Sequence, residues 1–173
     1  MRTLAAIPID PEIYAPFGSV VSARSTPPRS ANHGRAQAWD ALAIIESQRD
    51  ASARCSASLF RCLAHRDATL PIRWLERHPF STQMFVPMSG ARYLVVVALG
   101  QSAPDLDTLA AFVVEGARAI TYAPGVWHHP MVALDADADF VNVLFADGSA
   151  GDCDEVGYAS PLVTIAIEPT PMG

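Results

Sequence analysis

From Trp39 onward the chain is written in short apolar runs, each too brief for an ordinary three-turn helix. They are Trp39–Glu46, Ser56–Leu63, Ile72–Glu76, Thr82–Pro87, Tyr93–Leu99, Ala111–Glu115, Ala119–Tyr122, Asp139–Phe145 and Val163–Ile167. Turn residues separate them at Asp67-Ala68, Ser89-Gly90, Gly100-Gln101, Glu115-Gly116, Pro124-Gly125 and Asp147-Gly148. Many short strands in one chain specify a mainly β sandwich or barrel with a few short helices. Tyr93–Leu99 alternates weakly, which predicts a central strand covered on both faces. Asp10-Pro11-Glu12 reads as a cap and a first-turn proline, so a short helix should run to about Pro16, followed by a strand at Phe17–Ser22. Asp105–Leu109 offers one helical turn behind an Asp cap. Ser25–Arg35, rich in Pro, Ser, Asn and Gly, reads as a long loop, a feature that often carries function in compact proteins. No repeat or linker divides the 173 residues, so a single domain over 1–173 is expected.

Composition removes several chemistries. All 12 basic residues are Arg. Without Lys there is no Schiff-base aldolase, no pyridoxal-phosphate enzyme and no Walker-type phosphate loop, and no organic cofactor is indicated. A net charge of -6 with scattered Arg lacks the basic stripe that nucleic acid demands. The longest apolar run, Tyr93–Leu99, is far short of the ~20 residues that span a bilayer. Met1–Asp10 has no continuous apolar stretch of the secretory kind. The three cysteines, Cys55, Cys62 and Cys153, form no CxxC and suit neither a disulfide framework nor a thiolate zinc site. Buried or half-buried free thiols in a reducing cytoplasm are the expectation.

Two segments gather the residues that could carry chemistry. In Glu76-Arg77-His78-Pro79-Phe80-Ser81-Thr82-Gln83, strand alternation puts Glu76 and His78 on one face, and Gln83 can return to that face on the next strand. Arg77 then points the other way, toward a salt bridge. In Ala123-Pro124-Gly125-Val126-Trp127-His128-His129-Pro130, a Pro-Gly turn delivers His128 at the start of a later strand. His129 should face the opposite side and serve packing or a dimer contact. His33 reads as an exposed loop residue, His65 as a solvated turn residue, and Trp127 as a rim residue that packs or touches substrate. Two His and one carboxylate also match the ligand set of a facial metal site.

The spacing Glu76-x-His78, four residues, Gln83, six residues, Gly90 resembles the first motif of the cupin superfamily, with two of three ligand positions changed. Pro124-Gly125-Val126-Trp127-His128 resembles the second, with Val132 where Asn is usual. More specifically, LERHPFSTQMFVPM (75–88), YLVVVALGQSAP (93–104) and GVWHHP (125–130) are similar to the ureidoglycolate lyase family of purine-ureide degradation. That resemblance implies a cupin-type (jelly-roll) β-barrel, a homodimer, and cleavage of (S)-ureidoglycolate to glyoxylate and urea. The chain departs from the family at Ala38-Trp39-Asp40, where Arg, an aromatic and His are expected. It departs again at Leu144-Phe145, where an Asp-Arg pair is usual.

Ureidoglycolate carries a hydroxyl, a ureido nitrogen and a carboxylate on one carbon. Its cleavage needs a base for the hydroxyl proton and an acid for the leaving nitrogen. Glu76, His78 and His128 can supply that set: Glu76 or His78 as base, His128 or a water as acid. A divalent ion such as Ni²⁺, Mn²⁺ or Zn²⁺ on His78, His128, Glu76 and Gln83 is the cofactor option. Gln83, Asn32, Arg92 and Trp127 are the candidates for holding substrate, with Arg92 or the backbone of the Asn32–Gly34 loop taking its carboxylate. Two other classes share the fold: an iron oxygenase using His78, His128 and Glu76, and a non-catalytic cupin that binds a small acid.

Overall fold

In the computed structural model, residues 2–23, 27–49 and 52–168 are described. Three sheets are stacked in layers. The middle sheet has eight strands, running Asp154–Gly157, Trp74–Arg77, Trp127–His128, Tyr93–Ala98, Ala110–Val114, Ile7–Pro8. Val132–Leu134 also pairs with Tyr93–Ala98, and Ala64–His65 pairs with Val132–Leu134. One flanking sheet has five strands, in the order Val20–Val21, Ala119–Tyr122, Gln83–Pro87, Ala138–Ala146, Arg54–Cys62. The other has three, Thr3–Ala5, Val163–Ala166 and Thr69–Ile72. The molecule is mainly β, and its layers make a sandwich instead of one closed ring of paired strands. No helix among the described residues is long and apolar enough to cross a membrane.

Two apolar clusters fill the gaps between the layers. Tyr93, Val95, Val97, Phe112 and Val114 of the middle sheet meet Phe85, Ile120, Tyr122 and Phe140 of the five-stranded sheet. Leu94, Val96, Ala98, Ala111 and Val113 point the opposite way and meet Ile72, Val163 and Ile165 of the three-stranded sheet. Alternate residues of Tyr93–Ala98 therefore serve opposite cores, and all six are buried. This is the physical reason for the run's weak alternation.

Asp10 caps the helix Pro11–Tyr14, its carboxylate accepting from the backbone N–H of Glu12 at 2.8 Å and of Ile13 at 3.2 Å. The helix delivers Tyr14 and Phe17 onto Phe112, with Tyr14 and Phe112 edge to face at 5.4 Å.

Several boundaries differ from expectation. Phe17–Ser22 contributes only Val20–Val21 to a sheet. The Ile72–Glu76 run is two strands, because the chain passes from the three-stranded to the eight-stranded sheet at Arg73. Trp39–Glu46 forms no strand; a left-handed backbone at Ala41 (φ 53°) breaks the extension. Asp105 makes a turn, its carbonyl accepting from Thr108 N–H at 3.1 Å, without a helix. Of the Ser25–Arg35 loop, residues 25–26 lie outside the described residues. The rest carries the Arg29–Ala31 arm of a hairpin that returns as Ala36–Ala38. Cys55 is exposed, while Cys62 and Cys153 are half-buried, all three as free thiols.

Phe112 sits at the meeting of the helix and two sheets with no exposure. Replacing it by Ala is expected to remove about 3–5 kcal/mol of stability. Urea unfolding checks this: the midpoint should fall while the slope with denaturant stays the same.

Candidate active site

The site grows from one turn. Ala123-Pro124-Gly125-Val126 closes with Val126 N–H donating to the Ala123 carbonyl at 3.1 Å, and Gly125 takes φ +80°. That is the third position of a type II turn, where glycine carries no steric penalty. Gly125 N–H also donates to the His78 carbonyl at 2.9 Å, which ties the turn to the end of the Trp74–Arg77 strand. The chain then enters the middle sheet with His128 paired to Val97 on one side and to Glu76 on the other.

Three side chains converge there. His128 is 1% exposed, and its Nε2 lies 3.3 Å from Oε1 of Glu76. The two atoms are in charge contact but out of line for a hydrogen bond, so Nε2 remains without a partner. His78 stacks against His128, ring centroids 5.7 Å apart. One ligand atom from each of Glu76, His78 and His128 falls within 4.8 Å of the others. On its far side His128 lies flat on Tyr122, centroids 4.0 Å apart and planes 6° from parallel.

The opposite ring nitrogens are fixed by the backbone. Nδ1 of His128 is 3.0 Å from the Val126 carbonyl, and Nδ1 of His78 is 2.8 Å from the Asp152 carbonyl. A carbonyl only accepts, so each Nδ1 bears a proton and each Nε2 is where the ring gains or loses one. Both Nε2 atoms are buried without a hydrogen-bond partner. This suits proton transfer, and it equally suits ligation of a divalent cation, whose histidine ligands are oriented through the other nitrogen in this way.

Burial sets the charges. It raises the Glu76 carboxyl, but contact with His128 and the positive charge available on His128, His78 and His129 outweigh it and hold the group below its usual range. Burial, with the charge of His128, pushes His78 down. Burial drives the Tyr122 phenol well up, so it stays protonated. Cys153 is pushed up to about 11 by burial and then by Glu76, Glu155 and Asp154, so it stands as a thiol at neutral pH.

The loop behind His78 is held by charge. Arg49 pairs with Asp147 and, at 3.3 Å, with Asp152, and its guanidinium lies 4.9 Å from the centre of the Phe80 ring. The Asp152 carboxylate also accepts from Gly148 N–H at 2.7 Å. An Arg–Asp pair thus stands just past Leu144-Phe145, built from residues distant in sequence.

The other expected residues are distributed as follows. Gln83 is buried directly opposite Tyr122 on the same face of its sheet, with its amide oxygen unpartnered. Arg92 is not in this group. It forks onto Asp135 at 2.7 and 3.0 Å and reaches the Glu168 carbonyl, five residues along the strand from Val97, roughly 17 Å. Asn32 and His33 are exposed at the hairpin tip with left-handed backbones, where no side-chain contact with the histidines is seen among the described residues. Trp127 neighbours His128 and so faces the other core, with the Arg77 guanidinium 4.7 Å from its ring centre. Arg77 itself bonds Asp154 at 2.7 and 2.9 Å. His129 is half-buried, its Nδ1 2.8 Å from the Pro130 carbonyl. His65 stands in a two-residue strand with Nε2 3.0 Å from the Thr69 carbonyl. Sequence reasoning did not find Tyr122, Asp152 or Asn142. Asn142 is a buried amide with an unpartnered oxygen. It could have been found as the polar residue in the inward register Ala138, Phe140, Asn142.

The ureidoglycolate lyase family model matches residues 1–165. A ureidoglycolate lyase of Pseudomonas fluorescens is 37% identical over 155 residues, covering 90% of this chain and 91% of that protein. One of Pseudomonas putida is 36% identical over the same shares. Among solved structures, a dTDP-6-deoxy-D-glucose-3,5-epimerase of Legionella pneumophila aligns with a TM-score of 0.42 at 11% identity, over 66% of this chain and 64% of that one.

The backbone anchoring makes a spectroscopic prediction. Long-range proton–nitrogen spectra of the neutral rings should show both His78 and His128 as the Nδ1–H tautomer. An Nε2–H tautomer at either ring would contradict the anchoring.

Proposed function

The chain belongs to the ureidoglycolate lyase family, and on that premise we propose that it cleaves (S)-ureidoglycolate to glyoxylate and urea with His78, His128 and Glu76. The observation that carries the assignment of residues is the pair of buried, unpartnered Nε2 atoms beside one carboxylate. His78, kept neutral by burial, takes the hydroxyl proton on Nε2. The oxygen lone pair forms the carbonyl of glyoxylate, and the electron pair of the C–N bond leaves on the ureido nitrogen. His128 delivers a proton from Nε2 to that nitrogen, so the leaving group departs as neutral urea. Glu76, 3.3 Å from Nε2, balances the charge on His128 while it carries that proton. After the products leave, water carries the proton from His78 to His128 and resets both rings. Gln83 is a neutral contact for the substrate from the opposite sheet.

As the alternative to this proton transfer, since a coordinated Nε2 neither takes nor gives a proton, a divalent ion, with Ni²⁺, Mn²⁺ and Zn²⁺ as the candidates, fits the same three side chains. It would supply Lewis acidity to the hydroxyl oxygen and lower its pKa. We also propose a homodimer, closed through the outer edge of Arg54–Cys62. This nine-residue strand ends its sheet and exposes Leu59 and Phe60. An unpaired edge of that length is a ready template for a second copy.

Glyoxylate release from racemic ureidoglycolate tests the reading. Half of the racemate should be consumed at a rate that chelation leaves unchanged; a rate lost on chelation and recovered with Ni²⁺, Mn²⁺ or Zn²⁺ would instead place an ion on the His78 and His128 nitrogens and remove their role as base and acid. His78→Ala should lose about 10²–10⁴-fold in kcat; full activity in both His78→Ala and His128→Ala would remove the assignment. The base form of His78 persists below the ordinary histidine value of 6.5, so kcat/KM should begin to fall only as pH drops below that value. An acidic limb centred above it would count against His78 as the base. Leu59→Lys should shift the light-scattering mass from dimer to monomer.

A further inference from the structure

The strands Trp127–His128, Trp74–Arg77 and Asp154–Gly157 lie side by side, and their register sets His128, Glu76 and Glu155 in one row. Residues directly opposite one another share a face of the sheet, so the three side chains project together. The row climbs from floor to rim: His128 is 1% exposed, the Glu76 side chain 23%, and Glu155 is exposed. Trp74 and Pro130 stand two residues from Glu76 and His128 and belong to the same face.

A cavity of about 120 Å³ opens there, lined by Trp74, Leu75, Glu76, Pro130 and Glu155. At ~30 Å³ per water it has room for about four waters. Urea has four non-hydrogen atoms. One carboxylate oxygen of Glu155, one of Glu76 and the Cys153 sulfur lie within 4.8 Å of one another. Opposed like charges on adjacent strands repel. Arg77, the nearest guanidinium along the strand, is engaged by Asp154 on the other face. The unpartnered Nε2 of His128 points into the same row from below, 3.3 Å from Glu76. Above it, Trp74 is 58% exposed with its ring laid over Gly157, where a Cβ would come within 2.4 Å of ring carbon. Two acceptors face each other across a small space walled by a flat aromatic ring. Such a space rejects a carboxylate and suits a flat, neutral group rich in N–H donors.

We infer that this cavity holds the ureido end of the substrate, with Glu155 accepting hydrogen bonds from its N–H groups. The inference rests on the lyase reading above and gives the substrate a direction. The ureido group lies toward Trp74 and Glu155, the hydroxyl carbon at His78 and His128, and the carboxylate away from the two glutamates. Glu155 is a specificity residue and takes no proton in the reaction.

Two measurements on the intact protein test this. In steady-state turnover of ureidoglycolate, Glu155→Ala should raise KM about 10- to 100-fold and leave kcat within about threefold, as expected for a lost hydrogen bond to a charged group. Product inhibition by urea should weaken by a similar factor, whereas inhibition by glyoxylate should not change. Glu155→Gln, which keeps one acceptor oxygen, should fall between. Unchanged KM and urea inhibition, or equal weakening toward urea and glyoxylate, would overturn the inference while leaving the lyase reading intact. Binding of urea itself, at concentrations far below those that unfold proteins, separates the two ideas. In the wild type, urea should shift the amide signals of Trp74 and Glu155, and Glu155→Ala should abolish the shift. If the wild type releases no glyoxylate yet binds urea in this way, the subsite stands and the lyase reading falls. If urea shifts neither signal, the subsite falls.

Discussion

The Tyr93–Ala98 strand has no solvent face, and the layered sandwich follows from that constraint. Six consecutive buried residues need apolar cover on both sides. The five-stranded sheet supplies it for Tyr93, Val95 and Val97, and the three-stranded sheet for Leu94, Val96 and Ala98. Such a strand cannot slip by one residue without exchanging its two sets of contacts, so its register is tightly specified. His128 is paired to Val97, and Glu76 is paired to His128. The candidate site is thus hung, two strands out, from the most firmly placed element of the molecule.

The ring nitrogens of the candidate site are held by the backbone. Carbonyls of Val126 and Asp152 fix the two Nδ1 atoms, a type II turn sets the entry of His128, and Gly125 joins that turn to His78. Charged side chains act one layer back, where Arg49 steadies the Asp147–Asp152 loop that carries the Asp152 carbonyl. Rigid donors and acceptors of this kind need no rearrangement when charge develops in the reaction. Tyr122, flat against His128 and protonated, completes a wall that keeps the ring in place without competing for its proton.

Much of this was legible along the chain, and the exceptions have physical reasons. Strand alternation put Glu76 and His78 on one face, and the Pro-Gly turn announced His128. The same rule, applied strictly, sends Trp127 away from His128, as the structure finds. Arg92 was misleading because a lone Arg at a strand start gives no hint of Asp135, 43 residues later, which engages it. Asn32 lies at the tip of a hairpin whose two strands pair with each other, so no sheet register carries it toward the histidines. The row His128–Glu76–Glu155 joins three strands distant in sequence, and only their pairing brings Glu155 beside Glu76. Trp39–Glu46 reads as a strand from composition alone; the left-handed Ala41 that interrupts it has no compositional signature.

The central claim is that ureidoglycolate is cleaved at the paired Nε2 atoms of His78 and His128 beside Glu76. A crystal structure with both products bound tests it most directly. The account predicts glyoxylate with its aldehyde carbon against His78 and His128, and urea on the Glu76 side of that carbon. Products bound instead in the cleft of Arg66, Arg92 and Asp135, with the histidines untouched, would contradict it.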